Sequence, residues 1–339
     1  MKAIGLYKYL PIDHQESLVE VNLDKPEAKN SDLLVKVQAI SINPVDVKVR
    51  SPKDKQEDSP KILGWDASGI VEEVGPDCTL FKPGDEVYYS GSLTRPGTYS
   101  EYHVVDERIV GKKPKSFNFA EAAALPLTAI TAWEGLFDRL EIDINQTKEN
   151  EKKSILIIGG AGGVGSVAIQ LAKLAGLKVI ATASREESKK WVEELGADYT
   201  INHHQSLLPQ IQKFGFNHVD YVFCLNNTDQ HWDGMGEVIV PQGKVCSIVE
   251  NQEPLDLNVL KNKSVTFVWE FMFTRSMYHT VDMIKQHELL TKLSELIDDG
   301  KIQTTLKETI SPINAINLRK AHEMVETGKM IGKVVLEQF

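Results

Sequence analysis

The sequence predicts an α/β fold with two domains, a mostly-β domain at the N-terminus and a doubly wound parallel sheet after it. Residues 1–115 contain short alternating or β-branched runs punctuated by Gly and Pro, without helical periodicity. From residue 154 onward, apolar β-branched runs alternate with segments of helical spacing. The length of 339 residues is sufficient for two domains with separate cores.

The composition argues against several classes of protein. A formal net charge of -10 leaves no basic excess for binding nucleic acid. The three cysteines are scattered, which favours reduced thiols over disulfides or a metal-binding knuckle. No apolar segment reaches the length of a membrane span, and the first residues do not resemble a signal peptide. We therefore expect a soluble, cytoplasmic protein.

The first domain is predicted at residues 1–126, with its boundary at Pro126, which divides the apolar segment Phe119–Leu140 into two helices. The charged, proline-bounded run Ser51–Pro60 predicts a mobile surface loop. The predicted strands of this domain are Leu33–Ile40, Gly69–Val74, Gly84–Tyr89 and Thr98–Val105.

The second domain is predicted at residues 127–273, and residues 274–339 are expected to complete the first domain. This tail supplies three predicted elements: a helix from Met277 to Leu296, a second helix at Ala315–Glu326 and a strand at Lys333–Leu336.

The clearest local pattern is a strand, a glycine-rich turn and a helix. Ser154–Ile158 is typical of a strand buried on both faces, and the helical spacing of Val164–Leu174 leads into a second strand, Lys178–Thr182. A G-x-G-x-x-G pattern fills the turn: Gly160, Gly162 and Gly165.

A turn of this kind lets a pyrophosphate approach the backbone and the start of the helix. The unit therefore predicts a Rossmann dinucleotide-binding domain. The residues of the turn that are expected to contact the cofactor are Gly160, Ala161, Gly162, Gly163 and Val164.

The residues at the end of the second predicted strand indicate which dinucleotide binds. NAD enzymes usually offer Asp or Glu there, whereas a 2′-phosphate needs cations and small hydroxyls. This chain offers Ser184 and Arg185, with Lys189 one helical turn later, which favours NADPH. Alternatively, both cations belong to the solvated face of the helix Glu186–Leu195, where neighbouring glutamates would pair with them.

Motifs beyond the glycine turn extend the pattern over essentially the whole chain. The sequence resembles the medium-chain dehydrogenase/reductase superfamily at Gly64–Gly75, Phe81–Val87 and Gly97–Tyr102. This resemblance implies that the first domain is a GroES-like catalytic domain. The segments Ser41–Asp46, Trp269–Arg275 and Gly332–Leu336 are most similar to the quinone oxidoreductase branch and to the bacterial zinc-type alcohol dehydrogenase-like proteins.

The zinc ligands of that superfamily are missing. Zinc-dependent members use a Cys and a His where this chain has Asn43–Asp46 without Cys, and Trp65. Asp46 and Asp66 alone do not form a zinc ligand set. The pair His203-His204 is adjacent, and we expect the two side chains to point apart and to bind no metal.

The resemblance also implies roles for individual residues. Asn43 would donate a hydrogen bond to a substrate carbonyl, Trp65 would line the pocket, and Asp46 would handle a proton or organise the pocket. An Asx-type turn before a helix that starts at Pro44 is the alternative for Asn43 and Asp46. Asp66 is expected to be a buried carboxylate that accepts backbone donors.

Further cofactor contacts are implied by the resemblance: Thr128 beside the nicotinamide, His203 near the adenine, Asn226, Ile248, Val249, Phe271 and Met272 along the dinucleotide, and Lys333 from the tail. Alternatively, Phe271 and Met272 belong to the core or to a dimer interface. The resemblance also implies a homodimer, because the last strand of the sheet commonly pairs with its mate across a two-fold axis in this family.

Together these features predict an NADPH-dependent, zinc-independent oxidoreductase that transfers hydride to a quinone or another α,β-unsaturated carbonyl compound. Conjugation spreads the arriving charge in such substrates, so close approach and a hydrogen bond can replace a metal ion. Two alternatives remain open at this point: a zinc-dependent alcohol dehydrogenase with atypical ligands, and a non-catalytic NADPH-binding redox sensor.

Overall fold

The computed structural model describes residues 1–339 and divides the chain into two units. The first unit comprises Met1–Ile130 with Phe273–Phe339, and the second comprises Thr131–Met272. None of the helices has the length and apolar character that a membrane crossing requires.

The first unit begins with eight strands and three helices. The strands are β1 (Lys2–Tyr9), β2 (Val19–Asn22), β3 (Asp32–Ser41), β4 (Lys53–Ile62), β5 (Asp66–Val74), β6 (Glu86–Ser90), β7 (Tyr102–Asp106) and β8 (Val110–Lys112). The helices are α1 (Pro44–Arg50), α2 (Phe119–Ala123) and α3 (Pro126–Trp133); the last turn of α3 and the π-helical segment Glu134–Arg139 that follows it already belong to the second unit. The break between α2 and α3 falls before Pro126, as predicted, because proline cannot continue the preceding helix.

The prediction of a mobile loop at Ser51–Pro60 is wrong. Strand β4 covers most of that run and pairs antiparallel with β1 in the three-stranded sheet β2-β1-β4. Most positions of β4 are exposed or half-buried, so the strand lacks the apolar alternation that reveals most strands. Its charges suit an edge strand, where they discourage pairing with other chains.

The second unit is a doubly wound sheet, which confirms the predicted α/β class. Its strands are β9 (Ser154–Ile158), β10 (Lys178–Thr182), β11 (Tyr199–Ile201), β12 (Val219–Cys224), β13 (Ile239–Ser247) and β14 (Thr266–Trp269). Its helices are α4 (Thr147–Asn150), α5 (Gly163–Leu174), α6 (Glu186–Glu194), α7 (Leu207–Gln212), α8 (Thr228–Val238) and α9 (Asn258–Lys261). All neighbouring strands are parallel in the order β11-β10-β9-β12-β13-β14. The core packs the sheet against helices such as α7 and α8.

The tail returns to the first unit. It contains α10 (Thr274–Tyr278), α11 (Lys285–Asp298), β15 (Leu306–Ile310), α12 (Ala315–Glu326) and β16 (Lys333–Glu337). The continuous helix predicted from Met277 to Leu296 is wrong, because His279 adopts a left-handed conformation that ends α10. Strand β16 pairs antiparallel with β3, which places the tail in the large sheet of the first unit.

Candidate functional site

The carboxyl ends of all six parallel strands meet at one edge of the second unit, which we call the carboxyl edge. The strands that follow β9 in the chain, β10 and β11, lie on one side of it, and the later strands β12, β13 and β14 lie on the other side. The strand order therefore reverses between β9 and β12, and ligands of such sheets bind at this topological switch point. Most of the predicted cofactor residues directly follow these strand ends: Gly160, Ala161, Gly162, Gly163 and Val164 after β9, Ser184 and Arg185 after β10, His203 after β11, Asn226 after β12, Ile248 and Val249 after β13, and Phe271 and Met272 after β14.

The five predicted contact residues of the glycine turn lie where the sequence places them, between β9 and the first turn of α5. Gly160 and Ala161 belong to the turn itself, and α5 begins at Gly163 rather than at the predicted Val164. Ala161 is half-buried, as are Gly162 and Val164, so the chain leaves part of their surface uncovered. The contact of Ala161 and its neighbours with a cofactor stays a prediction.

The three glycines of the motif differ in what surrounds them. A Cβ atom on Gly165 would lie 2.5 Å from the carbonyl oxygens of Gly159 and Gly160, so the chain itself requires glycine there. A Cβ on Gly160 would lie 2.9 Å from the Cβ of Ala181. A Cβ on Gly162 would meet nothing closer than the Gly159 oxygen at 3.6 Å, which is ordinary contact. The backbone of Gly162 therefore borders an open cradle at the start of α5, as the close approach of a pyrophosphate requires.

The tip of β10 carries hydroxyls and a cation but no carboxylate. Thr182 Oγ1 accepts the N–H of Gly159 at 2.9 Å, which ties this tip to the glycine turn. Ser184 is half-buried, and Arg185 is exposed at the start of α6. Lys189 lies 2.6 Å from Glu186, so part of its charge is already paired within the helix.

The two adjacent histidines after β11 do not point apart. The rings of His203 and His204 lie 4.2 Å from each other, and the ring of His231 lies 6.2 Å from His203. The expected divergence holds along a strand, whereas these residues follow the end of β11 in a turn. Burial and the neighbouring His204 lower the pKa of His203, which favours the neutral ring.

Two predicted cofactor residues, Thr128 and Lys333, belong to the first unit. The Thr128 hydroxyl is buried and donates to the Leu125 carbonyl at 2.8 Å. Lys333 is buried as well, among the residues predicted to be catalytic. Their contacts with a cofactor stay predictions.

Strand pairing assembles a buried polar cluster in the first unit. Ser41 pairs with Asp66 across β3 and β5, and with Val335 across β3 and β16. Asn43, Asp66 and Lys333 thus sit at neighbouring strand ends. The Asn43 amide Nδ2 donates to Asp66 Oδ2 at 2.7 Å, and its Oδ1 accepts from the Lys333 ammonium.

Asn43 also starts the helix α1. Pro44 occupies the first helical position, and Asp46 Oδ2 accepts the Asn43 backbone N–H at 2.6 Å. The helix thus starts at Pro44 as in the structural alternative, but Asp46 supplies the capping side chain, and the side chain of Asn43 is bonded to Asp66 and Lys333. The Asn43 side chain has no exposed surface, because its amide faces the core in this structure. Its donation of a hydrogen bond to a substrate carbonyl stays a prediction.

Burial shifts the ionisation of this cluster. It raises the pKa of Asp46 to about 8, so this carboxyl holds its proton near neutral pH. Burial likewise raises the pKa of Asp66, against the opposing effects of Lys333, Asn43 and the Leu127 N–H, which donates to Asp66 Oδ1 at 2.7 Å. The prediction that Asp66 is a buried carboxylate with a backbone donor is confirmed.

Trp65 directly precedes β5, the strand that begins with Asp66, and is almost completely buried. Its Nε1–H donates to the Ser92 carbonyl at 3.0 Å, and its ring makes a T-shaped contact with the Phe273 ring, with the two centroids 6.0 Å apart. Its role as a pocket wall stays a prediction.

Two residues near the cluster were missed from the sequence. The Tyr99 hydroxyl lies 2.9 Å from His322 Nε2, both side chains are buried, and Tyr99 also faces the Asp46 carboxyl. His322 lies four residues after the buried Leu318 on α12, so its place on an apolar helix face was a usable signal.

The architecture is that of a two-unit oxidoreductase with a nucleotide-binding sheet. Residues 29–115 match the alcohol dehydrogenase GroES-like domain, and residues 163–286 match the zinc-binding dehydrogenase family. The chain belongs to the medium-chain dehydrogenase/reductase superfamily, which confirms the resemblance and the predicted fold.

Particular relatives narrow the placement to the zinc-type alcohol dehydrogenase-like proteins. Such a protein from Staphylococcus aureus strain MSSA476 is 46% identical over 99% of both chains. A crystal structure from Rhizobium etli CFN 42, provisionally described as a zinc-dependent alcohol dehydrogenase, shares 49% identity with a TM-score of 0.94, covering 100% of this chain and 98% of that one. The NADPH-dependent alkenal/one oxidoreductase of Arabidopsis thaliana is 34% identical over 94% of this chain and 75% of its own.

Proposed function

We propose that this oxidoreductase uses NADPH to reduce quinones or other α,β-unsaturated carbonyl compounds and needs no zinc. The observation that carries the proposal is the carboxyl edge, where an open glycine cradle and the exposed Arg185 follow neighbouring strands. The Arabidopsis relative, whose name includes both NADPH and alkenals, supports the same cofactor and substrate class.

The preference for NADPH rests on the charge at the tip of β10. The segment Thr182–Arg185 contains no Asp or Glu that could hold the ribose hydroxyls of NADH. Arg185 can pair with a 2′-phosphate through several N–H donors, and Ser184 can add a hydroxyl. Lys189, which pairs with Glu186, lies one helical turn later and can add a second cation.

The chain's own residues bind and orient the cofactor and the substrate rather than polarise the substrate carbonyl. The first N–H groups of α5 would bind the pyrophosphate, and the residues after β12 to β14 would support the remainder of the dinucleotide. Bound NADPH supplies the hydride. A conjugated carbonyl spreads the incoming charge, so the reaction depends chiefly on proximity and orientation.

Zinc independence is supported by the donor chemistry of the first unit. No group of three or more His, Cys, Asp or Glu side chains is arranged to hold a metal ion. At the predicted catalytic positions, the buried amide of Asn43 and the buried indole of Trp65 are not zinc ligands, and the carboxyl group of Asp46 alone does not make a zinc site.

The proposal is tested by measuring NADPH and NADH oxidation with quinones, enones and simple ketones. We expect turnover of quinones or enones and a preference for NADPH. Turnover of simple ketones or alcohols alone, or oxidation of NADH in preference to NADPH, would contradict it. Tight NADPH binding without turnover of any substrate would favour the redox sensor.

We further propose that the protein is a homodimer that pairs through β14. This strand lies at the end of its sheet, and the side chains of Trp269 and Phe271 are 44% and 46% exposed. Light scattering coupled to size-exclusion chromatography should give twice the mass of the chain, and Trp269→Glu should shift the mass toward that of the monomer. A monomeric wild-type protein would contradict this.

A further inference from the structure

The buried cluster of the first unit contains a cation in an oxygen cradle. Lys333 Nζ donates to the Ile42 carbonyl at 2.9 Å and to Asn43 Oδ1, and it lies 3.5 Å from Asp66 Oδ2. An ammonium has three N–H donors and no acceptor, so three oxygens around Nζ match the charged form. The side chains of Lys333 and Asp66 are 4% and 0% exposed, which leaves water little access to this pair.

The partners of the cluster fix the orientation of the Asn43 amide. Lys333 can only donate, so it must face Oδ1, and an ionised Asp66 can only accept, so it must face Nδ2. Removal of the ammonium would leave Asn43 Oδ1 and the Ile42 carbonyl without this donor, beside two buried carboxyl groups.

The zinc implied by the family does not fit these residues. Asp66 Oδ2 lies 3.5 Å from the Lys333 ammonium, and a zinc ion beside this ammonium would be repelled, because charges of equal sign repel in a buried site. The Cys and His that bind zinc in zinc-dependent members are also missing, because Asn43 and Trp65 stand at the corresponding places in the motifs.

We propose that Lys333 is the resident cation of this site, a positioning residue that occupies the oxygen cradle in place of a metal ion and locks the Asn43 amide against Asp66. The inference deepens the zinc independence of the proposed function. In place of zinc, the chain supplies the positive charge of Lys333 on β16, which neutralises Asp66 on β5.

The test compares two truncations of Lys333 by thermal unfolding. Lys333→Ala removes the charge and leaves a space, whereas Lys333→Met removes the charge and fills the space with an apolar chain. We expect both variants to lose several degrees of Tm, because an uncompensated buried carboxylate is destabilising. Ethylammonium should restore part of the loss in Lys333→Ala only, and Mn²⁺, which prefers oxygen ligands, should raise the Tm of the same variant.

Controls separate this role from general effects of the additives. The exposed Lys320 on α12 gives the matched variant Lys320→Ala, which should keep the wild-type Tm with and without either cation. Equal responses of the wild type, Lys320→Ala and Lys333→Ala would overturn the proposal, as would a Lys333→Met protein with the Tm of the wild type. So would a Lys333→Ala protein that folds but responds to neither cation.

A second measurement covers the case in which Lys333→Ala fails to fold. Combining Lys333→Met with Asp66→Asn removes both charges, and this double variant should be more stable than Lys333→Met alone. A double variant no more stable than that single variant would contradict the proposed pairing. These readouts are binding and stability, so they stand whether or not quinones and enones prove to be substrates.

Discussion

The carboxyl edge of the second unit and the buried cluster of the first unit are opposite kinds of site. At the carboxyl edge, the Gly162 backbone is open and Arg185 is exposed. In the cluster, Asn43, Asp66 and Lys333 are buried and bonded to one another. The first is shaped by backbone and prepared for a ligand, whereas the second is shaped by side chains that bind each other.

This difference explains how each site responds to change. A change in the backbone cradle can weaken ligand binding without lowering the stability of the ligand-free protein, because the chain does not use the space that the ligand occupies. A buried ionic cluster loses stability with any unmatched charge, because little water reaches the group left behind.

The largest expected effect separates two glycines of the same turn. Gly165→Ala places a methyl group 2.5 Å from two backbone oxygens, so we expect a loss of about 2 kcal/mol or more in the free energy of unfolding, together with weak NADPH binding. Urea unfolding and NADPH titration measure the two effects. Unchanged stability would show that the turn has more room than the structure gives it.

Gly162→Ala should weaken cofactor binding without lowering the stability of the protein. Its Cβ meets nothing closer than 3.6 Å and its φ of -72° suits any residue, so the free energy of unfolding should match that of the wild type. The methyl group would occupy the path of the pyrophosphate, and we expect the Kd for NADPH to rise about 10- to 100-fold, or about 1.4–2.7 kcal/mol. Unchanged affinity in fluorescence titration would place the phosphates elsewhere.

Asp46→Asn should change how stability depends on pH. The pKa of Asp46 rises from 3.8 to about 8 on folding, so the folded state binds more protons between these values. The resulting stability is fully present below pH 3.8 and is lost as the pH rises through about 8. The variant's free energy of unfolding should therefore decline less over this window than that of the wild type.

In the Asp46→Asn protein, the side-chain amide oxygen at position 46 can still accept the Asn43 N–H, so the start of α1 should be retained. Asp58→Asn, on the exposed part of β4, is the control and should keep the wild-type slope. Parallel slopes for all three proteins would refute a protonated Asp46.

Arg185→Ala should have the smallest effect and the most selective one. Loss of a partly exposed guanidinium–phosphate pair corresponds to about 1.4 kcal/mol, or about tenfold in the KM for NADPH. The KM for NADH should stay constant, because it lacks the phosphate. Lys189→Ala is the comparison and should raise the KM for NADPH less, since that lysine lies one helical turn beyond the tip of β10. An equal rise for both cofactors would remove Arg185 from phosphate recognition.

The parts of the molecule that the sequence predicts are those with a local cause. The strand β9, the glycines and α5 follow from adjacent residues, and β9 begins and ends where predicted. The ring contact of His203 with His204 depends on a turn, and β4 lacks apolar alternation, so both escape pattern reasoning. Lys333 meets Asn43 across 290 residues, and no spacing rule reveals such a contact.

The most direct test of the account combines metal content and turnover in one preparation. Protein treated with a chelator and dialysed should contain far less than one zinc per chain by elemental analysis, and should still oxidise NADPH with an enone or quinone at its original rate. Stoichiometric zinc that survives dialysis, with activity that disappears when the zinc is removed and returns when it is restored, would contradict the account.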